Sequence, residues 1–240
     1  VFPLTTSLFM PEWVPKPVVA GLTDGFVALF DRLIGSFAAR EGSKAMPYAV
    51  PNVRVELAEW NPGVPISIWR SVGHSYTCFV IESFVDELAA AAGEDPAAFR
   101  RRYLKDSPRH LAALELVLER SGWQDRPPPG RRRGLAIQEA FGSVVAQVAE
   151  VSVTADNAIR VHRVTCAVDC GTAINPDIVR QQMEGGILFG LSAALYGEIT
   201  LEDGAVRESN FHDYRQLRLA DAPAIDVHIV PSTEPPSGVG

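Results

Sequence analysis

The chain has 240 residues, 47% of them hydrophobic and 21% charged, which is typical of a globular protein with one large core or two smaller ones. Its 22 basic and 29 acidic residues give a net charge of −7, which argues against nucleic acid as a partner, because phosphate binding depends on clustered Lys and Arg. The apolar stretches at 26–33 and 187–196 are shorter than the roughly 20 residues of a membrane-spanning helix, and three cysteines imply no disulfide framework.

The first half of the chain is predicted to be rich in helices. Apolar residues recur at helical spacing from Thr23 to Ala39 and again from Thr77 to Ala92. Asp95-Pro96 and Ser107-Pro108 each combine an N-cap residue with a first-turn proline, so two further helices are predicted to begin there.

The second half is predicted to begin with strands. A Pro- and Arg-rich stretch at 124–133 suits neither a helix nor a central strand, and it predicts a boundary between a helix-rich part, residues 1–125, and an α+β part, residues 134–240. Leu135 to Val153 and Ile159 to Val168 read as strands. The apolar positions change parity along the second of these, which predicts a β-bulge near His162 or Arg163.

A helix is predicted to start at Asn175-Pro176-Asp177 and to run to about Ala194, because an N-cap, a first-turn proline and an acid follow one another there. Further strands are predicted up to Leu201, near Phe211 to Leu219, and from Ile225 to Val230, with a turn at Glu202-Asp203-Gly204 after the first of them. The fold class is therefore α+β, with helices packed on a mixed or antiparallel sheet. A strictly alternating α/β fold fits this order of elements less well.

The helix after residue 175 is unusual because it contains Gly185, Gly186 and Gly190. Each glycine inside a helix costs roughly 1 kcal/mol relative to alanine. Close packing against a neighbouring element would explain them, and so would the close approach of the backbone to a bulky ligand. Gln182 lies in the same helix and would, by itself, indicate only a surface residue.

The turn Trp69-Arg70-Ser71 precedes a predicted helix. An arginine ahead of a helix N-terminus is typical of an anion site, in which a guanidinium and backbone N–H groups converge. Pairing of Arg70 with a nearby carboxylate is an equally open interpretation.

Two other sites have weaker support. Cys166 and Cys170 could suggest zinc, but no second pair of ligands accompanies them. Ser71, His74 and Asp86 could form a hydrolase triad, but the Gly-x-Ser-x-Gly elbow is absent from the sequence.

Four longer segments occur in order over roughly residues 66–240: IWRSVGHSYTCFVIESFVDELAAAAGEDPAAFR, GLAIQEAFGSVVAQVAEVSV, VHRVTCAVDCGTAINPDIVRQQMEGGILFGLSAALYGEI and SNFHDYRQLRLADAPAIDVHIV. With them the chain resembles large (beta) subunits of the isoquinoline 1-oxidoreductase type, in the xanthine dehydrogenase and aldehyde oxidase family. The resemblance implies a molybdopterin-binding fold and a hydroxylase that adds water-derived oxygen to an aromatic heterocycle or an aldehyde. It also implies the cytosine dinucleotide form of molybdopterin, and iron–sulfur clusters on a small [2Fe-2S] partner subunit.

The resemblance also implies roles for particular residues. Arg70 matches a family arginine beside the molybdenum and would orient substrate or stabilise developing negative charge. Trp69 and Ser71 would contribute backbone contacts to the cofactor. Gln182 matches a glutamine that hydrogen-bonds the pterin. Gly240 matches the glycine of a Gly-Glu dipeptide at the cofactor.

The sequence also departs from the family pattern. The glutamate of that dipeptide, the catalytic base of the family, would follow Gly240, and two glycine-rich cofactor loops would precede Val1. We therefore expect the chain to be a carboxy-terminal piece of a longer subunit, truncated at its carboxy end and inactive by itself. A non-catalytic scaffold or subunit-interaction domain with the same fold is the alternative.

Overall fold

The structure is a computed structural model that describes residues 41–43, 46–56, 58, 63 and 69–239. The chain divides into two compact units, one formed by residues 1–46 with 51–81 and the other by residues 47–50 with 82–240. The helix predicted from Thr23 to Ala39 lies outside the described residues. The predicted domain boundary between residues 125 and 134 stays a prediction.

In the described part of the chain, three helices precede the sheet. Helix α1 is His74–Ala92 and begins before the predicted start at Thr77. Helices α2, Pro96–Tyr103, and α3, Pro108–Ser121, begin at the two prolines predicted from the sequence. The Asp95 carboxylate accepts hydrogen bonds from two backbone N–H groups in the first turn of α2, as an N-cap should. The Ser107 side chain does not cap α3.

The second unit is built on a four-stranded sheet. Its strands are β1 (Arg131–Ala140), β2 (Ser143–Val153), β3 (Ile159–Asp169) and β6 (Ala224–Ile229), side by side in that order. β1, β2 and β3 are antiparallel, and β6 pairs with β3 in parallel. The sheet is therefore mixed, as predicted.

The single strand predicted from Leu135 to Val153 is wrong, because β1 and β2 form a hairpin there. The two loop residues, Phe141 and Gly142, have φ of 51° and 83°. Positive φ at both positions is typical of a type I′ turn, whose twist matches that of the paired strands. β1 begins at Arg131, inside the Pro- and Arg-rich stretch at 124–133. The Arg131 guanidinium pairs with the Glu150 carboxylate of β2 at 2.7 Å.

The predicted bulge in β3 is confirmed. Glu150 pairs with Arg163 and Val151 pairs with Val161, so His162 is left over between two consecutive rungs of the ladder. The Nε2 atom of His162 lies 2.8 Å from the Ser152 hydroxyl. The extra residue explains why the apolar positions of β3 change parity.

Helices cover both faces of the sheet in this unit. Helix α3 packs against β2 and β3. Helix α4, Pro176–Tyr196, covers the other face, where its buried Ile187 joins a cluster with Val164 and Cys166 of β3. Since successive side chains of a strand point to opposite faces, the buried Thr165 and Ala167 face the α3 side. The predicted α+β class, with helices on a mixed sheet, is confirmed.

The connection from α4 to β6 differs from the prediction. The expected turn at Glu202-Asp203-Gly204 is confirmed, between two-residue strands β4 (Leu201–Glu202) and β5 (Ala205–Val206). The strand expected from Phe211 to Leu219 is wrong. The Asp213 carboxylate accepts hydrogen bonds from the Ser209 and Asn210 backbone N–H groups, which a strand ladder would otherwise use.

Within the described ranges, no helix has both the length and the apolarity needed to cross a membrane.

Candidate functional site

The predicted anion turn lies in the first unit, directly before α1. Trp69 is half exposed and Arg70 is exposed. The next two residues, Ser71 and Val72, have φ of 69° and 49°. Positive φ is rare for a residue with a branched side chain such as Val72, and each such position costs of the order of 1–3 kcal/mol. Backbone strain of this kind concentrates at functional sites, which makes the turn a candidate.

A carboxylate from the same unit already occupies the N-terminal end of α1. Glu41 Oε2 accepts a hydrogen bond from the Gly73 backbone N–H at 3.4 Å, and its Oε1 lies 3.9 Å from His74 Nε2. The Glu41 carbonyl also accepts a hydrogen bond from the Thr77 hydroxyl at 2.8 Å. The Gly73 N–H group is therefore not available to a ligand, and any anion recognition at this turn depends on the Trp69-Arg70-Ser71 segment itself.

The contacts give no support to a hydrolase triad. The Ser71 hydroxyl donates to the neighbouring carbonyl of Arg70, and Asp86 accepts a hydrogen bond from Arg100 at 2.6 Å. Among the described residues, no group of three or more His, Cys, Asp or Glu side chains could hold a metal ion. Burial raises the pKa of the Cys166 thiol to about 12, so this cysteine is a core residue rather than a zinc ligand.

Helix α4 has one apolar face on the sheet and one exposed face. Ile178, Gln182, Gly185 and Phe189 recur every three or four residues, so they share a face. Gln182 and Gly185 are exposed, while Ile178 and Phe189 retain 52% and 41% of their accessible surface. Gln182 thus lies on a surface strip that is partly apolar, which is unusual for a helix whose other face already covers a sheet.

The glycines on α4 are not explained by packing within the described part of the chain. A Cβ atom placed on Gly185 or Gly190 would meet no atom within 4 Å. Close contact with a neighbouring element, one of the two explanations open from the sequence, therefore has no support at these two positions. The other explanation, the close approach of the backbone to a bulky ligand, stays a prediction.

The loop that leads into α4 is fixed by a partly buried ion pair. Asp169, at the end of β3, accepts from Arg109 of α3 at 2.8 and 3.0 Å, and one of its oxygens also accepts from the Gly171 N–H at 2.9 Å. Burial would raise the pKa of Asp169, but the hydrogen bonds from Arg109, Gly171 and Ser232 outweigh it and lower the pKa. Asn175 then caps α4, as predicted, by accepting from two N–H groups of its first turn.

Residues 231–239, here called the arm, follow β6 and lie against this loop and the β1–β2 hairpin. The Thr172 N–H donates to the Glu234 carbonyl at 2.8 Å, and the Ser237 N–H donates to the Cys170 carbonyl at 2.9 Å. The Ser143 hydroxyl donates to the Gly238 carbonyl at 2.6 Å. The arm is therefore anchored to the loop at two places and to the first residue of β2 at a third.

Two predicted site residues have neighbours in one hydrophobic cluster. The cluster is centred on buried Val168, Cys170 and Val179 and includes both Met183 and Val239. Met183 follows Gln182 on α4, and Val239 precedes Gly240, which itself lies outside the described residues. Trp69, Arg70 and Ser71 belong to the other unit.

Little in the sequence indicates which residues anchor the arm. Asp169-Cys170-Gly171 is recognisable as a tight turn, but the partner of the Asp169 carboxylate lies 60 positions away in α3. Ser143 and Ser237 are 94 positions apart, and neither belongs to a local motif. Only the positive φ of 71° at Gly171 could be anticipated, from the glycine itself.

Residues 111–223 match the family of molybdopterin cofactor-binding domains. The chain is 38% identical over 196 residues to the beta subunit of isoquinoline 1-oxidoreductase from Brevundimonas diminuta, an alignment that covers 80% of this chain and 25% of that protein. It is 32% identical over 243 residues to a nicotinate dehydrogenase subunit from Pseudomonas putida, covering 93% of this chain and 20% of that protein.

Among solved structures, quinoline 2-oxidoreductase from Pseudomonas putida 86 matches with 29% identity and a TM-score of 0.37, over 40% of this chain and 13% of that one. The chain spans a fifth to a quarter of the length of the two curated relatives.

Proposed function

We propose that the chain is part of a molybdenum hydroxylase that oxidises an N-heterocycle or an aldehyde. Residues 111–223 match molybdopterin cofactor-binding domains, and the chain is similar to a beta subunit of isoquinoline 1-oxidoreductase and to a xanthine dehydrogenase molybdenum-binding subunit. The names of two relatives refer to isoquinoline and nicotinate and support a heterocycle, whereas a third relative is named as an aldehyde dehydrogenase and supports an aldehyde. When bound, the cofactor supplies the redox chemistry, and the protein supplies orientation and electrostatics.

The proposal extends to the form of the cofactor and to a partner. We propose the cytosine dinucleotide form of molybdopterin, and a small [2Fe-2S] subunit that takes up the electrons. A relative that is itself named as a beta subunit supports an assembly of several subunits.

The observation that carries the proposal is the exposed face of α4. Gln182 presents an amide that can both donate and accept hydrogen bonds, as the polar edge of a pterin requires. Beside it, Gly185 has open space where a side chain would stand, so a flat ring system can approach the helix backbone there. The donor set and the open surface therefore fit a pterin.

We propose a separate role for Arg70, which belongs to the other unit. Its guanidinium is permanently charged and donates in a planar fork, which suits it to an oxygen that gains negative charge during the reaction. Backbone groups of Trp69 and Ser71 would add contacts to the cofactor. Gly240 would complete the set of contacts.

The test uses the intact enzyme that carries this chain, purified with its partner subunits. We expect Gln182→Ala to lower molybdenum content about three- to tenfold under limiting cofactor, the loss of one hydrogen bond. Arg70→Ala should lower kcat for a heterocycle about 10²–10³-fold, the loss of one donor to developing charge. Glu184→Ala serves as the control, because Glu184 is exposed on α4 but off the Gln182 face.

Gly185→Ala separates the functional explanation of the glycine from a structural one. Alanine should stabilise α4 by up to about 1 kcal/mol, since it favours the helix and meets no neighbour. If the pterin lies on this face, the same change should reduce molybdenum content. Wild-type molybdenum content and turnover in Gln182→Ala, Gly185→Ala and Arg70→Ala together would contradict the site and favour the scaffold alternative.

A further inference from the structure

The four-stranded sheet has two edges, and they differ in how far the described residues close them. At the β1 edge, the Ile137 N–H donates to the Glu82 carboxylate at 2.8 Å, and the Arg131 N–H donates to the Pro128 carbonyl at 3.0 Å. At the other edge lies β6, whose only strand partner among the described residues is β3. The β6 edge is therefore open to a further strand.

Alternate residues of β6 turn their backbone groups away from the sheet. The Val230 N–H donates to the Val168 carbonyl of β3 at 2.8 Å, so even-numbered residues face β3 while Ile225, Val227 and Ile229 face outward. No hydrogen bond joins these outward backbone groups to another residue that the structure describes. β6 also contains no lysine, proline or bulge, which are features that keep an edge strand from pairing.

The apolar residues of β6 indicate which partner fits this edge. We propose that a second copy of this chain pairs with β6 in the antiparallel direction, about a two-fold axis at Val227. Val227 then lies opposite Val227 of the second copy, and Ile225 lies opposite Ile229, and each of these hydrogen-bonded pairs exchanges two N–H···O bonds. The side chains of all three residues belong to the face that packs on α4, so apolar groups meet apolar groups across the axis.

The polar residues of β6 favour the same register. Asp226 and His228 lie on the opposite face of the strand, and the axis at Val227 places Asp226 opposite His228 of the second copy, a carboxylate against a ring that can donate to it. A shift of the pairing in one direction would bring two Asp226 carboxylates together, which is destabilising, and a shift in the other would bring two His228 rings together without an acceptor. The Asp226 side chain is 42% exposed beside Arg163, so it is accessible to a partner.

Prolines bound the pairing segment at both ends. Pro223 and Pro231 lack the N–H group that a ladder needs, so pairing stops at each of them. They are equally far from Val227 and lie opposite each other in the proposed register. The segment between them is therefore self-complementary in its length, its apolar face and its charges.

The test uses the intact enzyme that carries this chain, purified with its partner subunits, and measures the dissociation constant of its dimer by sedimentation equilibrium. Val227→Pro removes one outward N–H from each copy and leaves the even-numbered donors to β3 in place. His228→Asp keeps the backbone and puts a second carboxylate opposite Asp226. The double variant Asp226→His/His228→Asp restores a carboxylate opposite an imidazole. Val153→Pro, at the exposed end of β2, is the matched control.

Hydrogen exchange of single amides in the same enzyme locates the interface. In the dimer, the outward amides of Val227 and Ile229 should be protected like the inward amides of Asp226 and His228. After dilution to the monomer, the outward amides should exchange at least about tenfold faster, while the inward amides keep their bonds to β3. This alternation along the strand is specific to pairing at the β6 edge.

We expect Val227→Pro and His228→Asp to weaken the dimer at least about tenfold, and the double variant to return to within about threefold of wild type. Val153→Pro should match wild type. The proposal is overturned if the intact enzyme does not self-associate, if both edge variants dimerise like wild type, or if the double variant is as weak as His228→Asp. Outward amides that stay protected in the monomer would overturn it in favour of a strand from the same subunit, and outward amides that exchange freely in the dimer would overturn it in favour of another interface.

Discussion

The buried ion network around Arg100 gives a sharp test of how the second unit is held together. Arg100 is fully buried, and its guanidinium lies 3.1 Å from Glu82 Oε2 and 2.6 Å from Asp86 Oδ1. The two oxygens of Glu82 also accept hydrogen bonds from the Tyr48 hydroxyl at 2.7 Å and from the Ile137 N–H at 2.8 Å. The network therefore joins α1, α2, the first strand and residues 47–50.

Replacing Arg100 with methionine should cost about 3–5 kcal/mol, the usual cost of breaking a buried ion pair from one side. Methionine fills much of the volume, so the loss comes from leaving the Glu82 carboxylate without its cation. The Tyr48 hydroxyl and the Ile137 N–H still donate hydrogen bonds to the Glu82 carboxylate, so we do not expect a loss above that range. The adjacent Arg101→Met is the matched control, because Arg101 is 38% exposed and its pair with Glu115 should contribute no more than about 1 kcal/mol.

The cost should depend on pH in a defined direction. Burial raises the pKa of Glu82 above its ordinary 4.5, although Arg100, Tyr48 and Ile137 each lower it. A carboxyl group whose pKa is higher in the folded than in the unfolded protein stabilises the fold fully at pH values below its unfolded-state pKa. That stabilisation is lost as the pH rises through its folded-state pKa. Removing Arg100 raises the folded pKa further, so Arg100→Met should be more destabilised at pH 8 than at pH 5.

The assay is urea unfolding of the purified chain, followed by circular dichroism, at pH 5 and pH 8. The double variant Glu82→Gln/Arg100→Met should be more stable at pH 8 than Arg100→Met alone, because it buries no unpaired charge. A loss under about 1 kcal/mol for Arg100→Met at pH 8, or equal losses at both pH values, would refute the reasoning.

Two further predictions concern the sheet. Asp169→Asn should cost about 3 kcal/mol at pH 7, whereas Asp226→Asn, whose pair with Arg163 is nearly half exposed, should cost no more than about 1 kcal/mol. Because the pKa of Asp169 is lowered, its contribution is present above the ordinary value of 3.8 and is lost as pH falls through the folded pKa. The urea-unfolding free energies of wild type and Asp169→Asn should therefore converge as the pH is lowered below 3.8. Cys166 should resist maleimide at pH 8 in the folded protein and react after unfolding, as mass spectrometry would detect; rapid labelling of the native protein would contradict its burial.

The elements that could be predicted are those whose signal is local. Asp95 and Asn175 cap their helices because the accepting oxygen and the free N–H groups lie within three residues of one another. The bulge at His162 is visible in the sequence because the alternation of apolar residues records which face of the strand is buried. In each case the sequence window contains all the interacting groups.

The errors arise where a local preference competes with another interaction. Phe141 gives no sign of a turn, and only Gly142 marks the type I′ hairpin that divides the predicted long strand. Phe211 and Leu219 suggest a strand, but Asp213 takes up the backbone N–H groups ahead of it, and both apolar residues are largely exposed. A prediction from periodicity assumes that the apolar residues are buried, but whether they are buried depends on the rest of the chain.

The candidate site shows the same division. The family resemblance points to Arg70 and Gln182, and the local pattern points to the glycines, but neither indicates Ser143 or the pair of Arg109 with Asp169. These residues act across 60 to 95 positions of sequence, where only the folded strand order brings them together. Contacts across so many positions can be found only in the structure, whereas a cofactor contact can be proposed from a sequence motif.

Helix α4 contains three glycines, and its stability must come from other residues. Three glycines cost roughly 1 kcal/mol each, and the Asn175 cap returns only about 1 kcal/mol. The remaining cost of the glycines is offset on the face of α4 that packs on the sheet. Burial of Ile187 contributes about 1.5–3 kcal/mol there, and Met183 and Leu191 add to it. The helix is thus stabilised by its inner face, while its outer face keeps Gly185 and Gly190 in open space. Alanine at both positions would make a more stable helix at no steric cost within the described residues, so the stability of the helix alone does not account for glycine there.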